Sequence, residues 1–190
     1  GRQAAGIMAA GASYRAVKAA LAAVNGEVYR LVDNMGVMGM SGTTLCAAAV
    51  MGCGVRLFWS GDSRAYAFRR GKLTRLTEDH VYGLYLKEMV AEGVITEQEA
   101  RTHPRRGHLT GYLGMRALED YSIMAETLEM AQGDGLLLCT DGLYKCLDED
   151  EMCRCLHRGA YAAAGALIGI VARKRLANQD NATALVLKWR

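Results

Sequence analysis

The chain has 190 residues, is 51% hydrophobic, contains one proline and carries a formal net charge of +3. That is enough for one domain with a substantial core. It excludes the strongly basic face of a nucleic-acid binder and the polar, proline-rich composition of a disordered tail.

In chain order, Tyr14, Val17, Leu21, Val24, Val28 and Leu31 recur at three- and four-residue steps and predict a long amphipathic helix. A glycine- and methionine-rich connector, Gly36 to Gly42, follows. Strands are expected at Thr43–Val50, Val55–Ser60, Arg64–Phe68 and Lys72–Leu76, and connections this short predict one antiparallel meander. Helical spacing returns over Val81–Glu92, and Thr96-Glu97-Gln98-Glu99 is a capping-box sequence opening a second short helix. The polar stretch His103–Leu118, with Gly107, Gly111 and Gly114, is expected to be a mobile flap. Strands at Tyr121–Glu129 and Gly135–Thr140, helices near Asp148–His157 and Ala160–Leu176, and a strand at Thr183–Trp189 complete the chain. Strands and helices are segregated, which predicts an α+β fold.

The longest uncharged apolar run, Gly159 to Ala172, is shorter than the roughly 20 residues of a membrane span, so no membrane span is expected. Gly1 opens no signal-peptide pattern, and the six cysteines lie in apolar segments. Reduced thiols and a cytoplasmic location are therefore expected. Cys153, Cys155 and His157 have a metal-like look, but helical positions two apart point in different directions, so no metal is expected there.

The apolar run Leu136–Cys139 has the character of a strand buried on both faces, yet it stops on Thr140-Asp141-Gly142. Burying an unpaired carboxylate is costly, and Asp141 has two explanations: a helix N-cap or a ligand. Asp62, in Gly61-Asp62-Ser63-Arg64, closes another strand, and Asp180-Asn181 precedes the last one. Carboxylates gathered from strand ends are how hard cations such as Mg²⁺ or Mn²⁺ are held.

The segments "VRLFWSGDSRAYAFRRGKL", "GDGLLLCTDGLYKCLDEDEM" and "DNATALVLKW", in that order and with "GTT" upstream of them, resemble the PPM-type (type 2C) metal-dependent Ser/Thr protein phosphatases in their bacterial form. The resemblance runs from about Ala4 to Lys188. It implies an α-β-β-α sandwich of two antiparallel sheets flanked by helices. It also implies that Asp141 and Asp180 bind one metal of a dinuclear Mn²⁺ or Mg²⁺ centre, and that Asp62 helps hold a weaker third. Water activated by the metals would then attack the phosphorus of phosphoserine or phosphothreonine.

The chain departs from that pattern twice. The family's N-terminal strands, its phosphate-binding Arg and the metal-bridging Asp of "DGxGG" are absent, and Gly1 resembles the remnant of that glycine pair. A single domain over residues 1–190, N-terminally incomplete and inactive by itself, is therefore expected. Lys145 stands where many relatives have an acid, and it is expected either to pair with Asp62 or Asp141 or to face solvent. Arg105 and Arg106 are candidates for the substrate phosphate, because guanidinium suits phosphate; a solvated basic loop is the alternative. His80 and His103 are expected to anchor the flap by hydrogen bonds, Arg64 to brace the Asp62 turn, and Gly42-Thr43-Thr44 to be structural.

The implied protein is a monomeric phosphoprotein phosphatase opposing a Ser/Thr kinase. The alternative is an inactive pseudophosphatase, a phosphoprotein-binding domain of the same fold.

Overall fold

The computed structural model describes residues 14–190. Gly1 and the start of the resemblance at Ala4 lie outside them. The elements, in order, are α1 (Tyr14–Asn34), β1 (Leu45–Met51), β2 (Gly54–Ser60), β3 (Arg64–Arg69), β4 (Lys72–Arg75), α2 (Tyr82–Ala91), α3 (Glu97–Thr102), β5 (Ser122–Ile123), β6 (Leu128–Glu129), β7 (Gly135–Cys139), α4 (Asp141–Tyr144), α5 (Glu149–Leu156), α6 (Ala160–Lys174) and β8 (Ala184–Lys188). The fold is α+β with two antiparallel sheets, one containing β1, β2, β5 and β6 and the other ordered β4-β3-β7-β8.

The chain divides into two compact units. The first takes in the chain up to Leu45, Phe58–Asp62 and Asp79–Ile123. Within it α1 buries Val17, Leu21, Asn25 and Val32 along one face. The helix ends at Gly36, whose φ of +69° suits the left-handed C-terminal position that a residue with a Cβ avoids. The last residues of β2 pair with β5, Phe58 opposite Ile123 and Trp59 opposite Ser122. Thr96 caps α3 in a full capping box with Glu99, as its sequence predicts.

Residues 103–118 form no helix or strand, but they are tied down along their length rather than loose as expected. Arg106 O accepts from Gly83 N at 2.9 Å, and His108 O accepts from Tyr82 N at 2.8 Å. Thr110 N donates to His80 O at 2.9 Å, and Leu113 exchanges two backbone hydrogen bonds with Thr43.

The second unit takes in Cys46–Leu57, Ser63–Glu78 and Met124–Arg190. Its central strand, β7, lies between β3 and β8, so that Leu137 faces Tyr66 on one side and Val186 on the other. All five residues of β7 are buried, as its unbroken apolar run predicts. Complete burial of one leucine contributes about 1.5–3 kcal/mol. Tyr66, Phe68 and Leu137 from the sheet join Leu143, Met152, Leu156 and Leu167 from the helices in one core. Asp148 caps α5 in a second capping box, with Glu151.

Two expectations about the strands are corrected. β2 and β3 do not continue one meander; they belong to different sheets. The change occurs over Gly61-Asp62-Ser63, where Gly61 has a φ of +107°. The expected strand Tyr121–Glu129 is two short pieces, β5 and β6, which pair with opposite ends of β2. The tight link from β3 to β4 is as predicted: Arg70 and Gly71 both have positive φ, the requirement of a two-residue hairpin turn that follows the strand twist.

Candidate metal site at the strand ends

β7 delivers its C-terminal end to Thr140, which is extended and is the N-cap of α4, yet its side chain does not cap that helix. It stitches the strand end to the chain entering β8. Thr140 N donates to Thr183 O at 3.2 Å, Thr183 N donates to the Thr140 hydroxyl at 3.0 Å, and that hydroxyl donates to Asn181 O at 3.4 Å. Asp141 is thus the first residue of α4 rather than its cap, which decides against the capping explanation of this carboxylate.

Gly142 is where the two turns meet. A Cβ on it would lie 2.5 Å from Asn181 O and 2.9 Å from Asp180 O. Gln179 completes the seam, its Nε2 donating to Gly142 O at 3.0 Å and to Asp180 O at 2.8 Å. Asp141 and Asp180, 39 positions apart, therefore stand on turns held backbone to backbone. Sequence reasoning passed over Thr140 and Gln179. Their polar side chains beside Asp141 and Asp180 were the available signal, but nothing local says that each reaches across to the other turn.

Each carboxylate has one oxygen engaged. Lys145 Nζ lies 2.7 Å from Asp141 Oδ2, a pair one helical turn apart. The Lys145 side chain is 65% exposed and that of Asp141 25%, so the lysine both faces solvent and makes an ion pair. Asp180 Oδ1 accepts from Asn181 N at 2.7 Å. Asp141 Oδ1 and Asp180 Oδ2 have no hydrogen-bond partner among the described residues. Two open carboxylate oxygens on adjoining turns are of the ligand type that a hard cation takes, with waters completing its shell. They are too few for a pair of cations. Among the described residues no group of three or more His, Cys, Asp or Glu could hold a metal ion.

Asp62 stands in the first unit, half-buried on the turn after β2. That turn is held by His80: Gly61 N donates to His80 Nδ1 at 3.2 Å, and His80 N donates to Gly61 O at 3.0 Å. With Nδ1 accepting, the ring proton sits on Nε2, which lies 3.0 Å from Ser122 Oγ. His80 also stacks on Trp59, with ring centroids 6.1 Å apart. The histidine ring thus anchors the Gly61 turn rather than the flap, which His80 meets through its carbonyl oxygen, the acceptor for Thr110 N. Thr44 packs on Gly61, where a Cβ would come within 2.4 Å of its methyl carbon, so the "GTT" segment has a structural part.

In the second unit Arg64 places its guanidinium 3.5 Å from the centroid of the Tyr144 ring and donates to the Tyr66 hydroxyl at 3.3 Å, bracing α4. His103 accepts from Arg105 N at 3.2 Å and packs on Tyr82. Arg105 and Arg106 are both exposed, and Arg106 lines a cavity of about 270 Å³ with Lys87, Glu97 and Arg101. Cys153 and Cys155 lie on α5, and His157 sets its ring edge-on to Phe68 at 5.0 Å. All six cysteines are free thiols. Among the described residues no helix is long and apolar enough to cross a membrane.

A family model described as Protein phosphatase 2C matches residues 15–179. The chain belongs to the Protein phosphatase 2C family. Its relatives include the serine/threonine protein phosphatase PstP of Mycobacterium tuberculosis, 35% identical over 175 residues, which are 90% of this chain and 31% of that protein. The serine/threonine phosphatase stp of Listeria monocytogenes is 31% identical over 87% of this chain and 64% of its own length. The chain thus spans about a third of one curated relative and just under two thirds of the other.

Among solved structures, the PPM Ser-Thr phosphatase MsPP of Mycobacterium smegmatis, in complex with cacodylate, has a TM-score of 0.74 at 30% identity and covers 99% of this chain and 78% of that one. PppA of Pseudomonas aeruginosa has a TM-score of 0.73 at 31% identity, over 90% of this chain and 67% of its own. The catalytic domain of PstP in complex with two manganese ions has a TM-score of 0.58 at 27% identity, over 85% of this chain and 64% of its own.

Proposed function

We propose that this Protein phosphatase 2C chain serves a protein phosphatase that hydrolyses phosphoserine and phosphothreonine esters on proteins with water activated by Mn²⁺ or Mg²⁺. The observation that carries this reading is the seam at Gly142, which sets two carboxylates with open oxygens on adjoining turns. Asp141 Oδ1 and Asp180 Oδ2 would hold the cation, and Asp62 would serve a further, weaker one. A bound divalent cation supplies Lewis acidity, lowering the pKa of bound water and neutralising charge on the phosphoryl oxygens. The protein's part is positional: Thr140, Gln179 and Gly142 hold the two aspartates in place, so little reorganisation is needed as charge develops. Arg105 and Arg106, exposed on their loop, would take the phosphate of the substrate. The partners are then phosphoproteins made by a Ser/Thr kinase, met by a monomer in the cytoplasm.

A second reading, a phosphoprotein-binding pseudophosphatase, is favoured by Lys145. Its ammonium already occupies one oxygen of Asp141, as a bound cation would. The two readings separate in one experiment on the full-length gene product. Mn²⁺-dependent release of phosphate from a phosphothreonine peptide, lost in Asp141→Asn and Asp180→Asn, supports the phosphatase. Phosphopeptide binding without turnover supports the second reading.

A further inference from the structure

We propose that the first unit contains a second ligand site, a cleft on α1 that takes a small organic phosphate: a phosphoryl dianion with a compact apolar or aryl body. This inference does not depend on the phosphatase reading. The cleft has a volume of about 300 Å³, at the lower end of the range for small-molecule sites. One wall is a single stripe of α1, where Lys18, Ala22, Asn25 and Tyr29 recur at helical spacing. The other is the segment from Arg116 to Tyr121.

The walls are fixed to one another by Asn25, which is only 6% exposed. Its Nδ2 donates to Met115 O at 2.9 Å, and its Oδ1 accepts from Gly114 N at 2.9 Å. A buried amide hydrogen-bonded in this way holds the opposite segment in place and leaves the lysine, arginine and tyrosines of the lining unused.

The chemistry of the lining is one-sided. Lys18 and Arg116 are its charged residues, and no carboxylate lines it. Among the described residues the side chains of Lys18, Tyr29, Arg116 and Tyr121 make no hydrogen bond or ion pair, so two cations and two phenols remain available to a ligand. Two uncompensated cations suit a dianion better than a monocarboxylate, and guanidinium suits phosphoryl oxygens in particular. Leu21, Leu118 and the tyrosine rings supply apolar surface for the rest of the ligand. Gly26 faces open space, with nothing within 4 Å of a Cβ built on it, so a larger side chain there would enter the cleft without a clash.

The test is calorimetric titration of the chain with phenylphosphonate, inorganic phosphate and phenol in buffer containing EDTA. No cation held by Asp141 and Asp180 can then carry the phosphonate. The expected result is one phenylphosphonate per chain, with inorganic phosphate and phenol each weaker. Lys18→Gln and Arg116→Gln should each weaken phenylphosphonate by about tenfold, the worth of one charge-assisted hydrogen bond. Gly26→Leu should abolish binding with a melting temperature at or above that of the parent, since glycine is a poor helix former. Absence of binding by the parent chain would overturn the proposal, as would binding unchanged in all three variants. Inorganic phosphate bound as tightly as phenylphosphonate would overturn the assignment to an organic phosphate.

Discussion

Gly142 lies directly beneath the carbonyl oxygen of Asn181, so that a Cβ at position 142 would approach it to 2.5 Å. The obstacle is backbone, which cannot rotate away as a side chain can. Gly142→Ala should push the turn bearing Asp180 away from the turn bearing Asp141. The expected cost is about 1–3 kcal/mol of stability, the range for overpacking a close contact. Manganese affinity should fall along with it. Chemical denaturation and calorimetry on the same variant check both; an unchanged manganese affinity would mean that the seam does not position the carboxylates.

Lys145 holds one oxygen of Asp141 in a partly exposed ion pair. Such pairs are worth up to about 1 kcal/mol, so Lys145→Met should raise the affinity for one divalent cation by up to about fivefold. Lys145→Asp adds a carboxylate and should raise it further. Manganese titration of the parent and both variants is the check, and three equal affinities would show that the lysine does not compete.

The thiols should differ sharply in reactivity. Burial pushes Cys46 and Cys139 up to about 12, which leaves almost no thiolate at pH 8. Cys53 is exposed, but the hydrogen bond from its thiol to Glu129 and the charge of that carboxylate raise its pKa also. Removing the charge in Glu129→Gln should lower it and speed alkylation of Cys53 by iodoacetamide at pH 8. Cys46 and Cys139 should stay unmodified. Peptide mapping by mass spectrometry reads all three sites at once.

Lys174 ties the end of α6 to the start of α5, donating to Glu151 at 2.6 Å and to Cys146 O at 2.8 Å. The Lys174 hydrogen bond, then the Asp148 backbone N–H, hold the Glu151 carboxyl below its usual value of 4.5. A carboxylate whose pKa is lowered by folding adds stability that is fully present above the unfolded value and is lost as pH falls through the folded one. Glu151→Gln should therefore lower the melting temperature by a few degrees at pH 7. The difference from the parent should shrink steadily below pH 4.5. A difference that does not change with pH would assign the effect to packing.

Much of the fold was legible because its signals are local. The run Leu136–Cys139, the capping pair Thr96 with Glu99 and the short connection between β3 and β4 each depend on neighbours within a few residues. The carboxylates of the candidate site were visible for the same reason, each beside a glycine or asparagine at a strand end. The exchange of sheets between β2 and β3 was not. A period-two pattern tells which face of a strand is buried but not which strand completes its hydrogen bonds. The break of Tyr121–Glu129 into β5 and β6 escaped in the same way, because each piece is defined by a different end of β2.

By itself, then, the sequence determined most of the elements, the cap of α3 and the family, all of which are written in short-range spacing and motif order. Only the tertiary structure decided that Asp141 is not a cap, that Thr140 and Gln179 join its turn to that of Asp180, that Asn25 walls a cationic cleft, and that Lys145 reaches Asp141. Each of these depends on where a polar group finds its partner. Chain neighbours limit that choice, but it is made by whatever the packed core brings within about 3 Å.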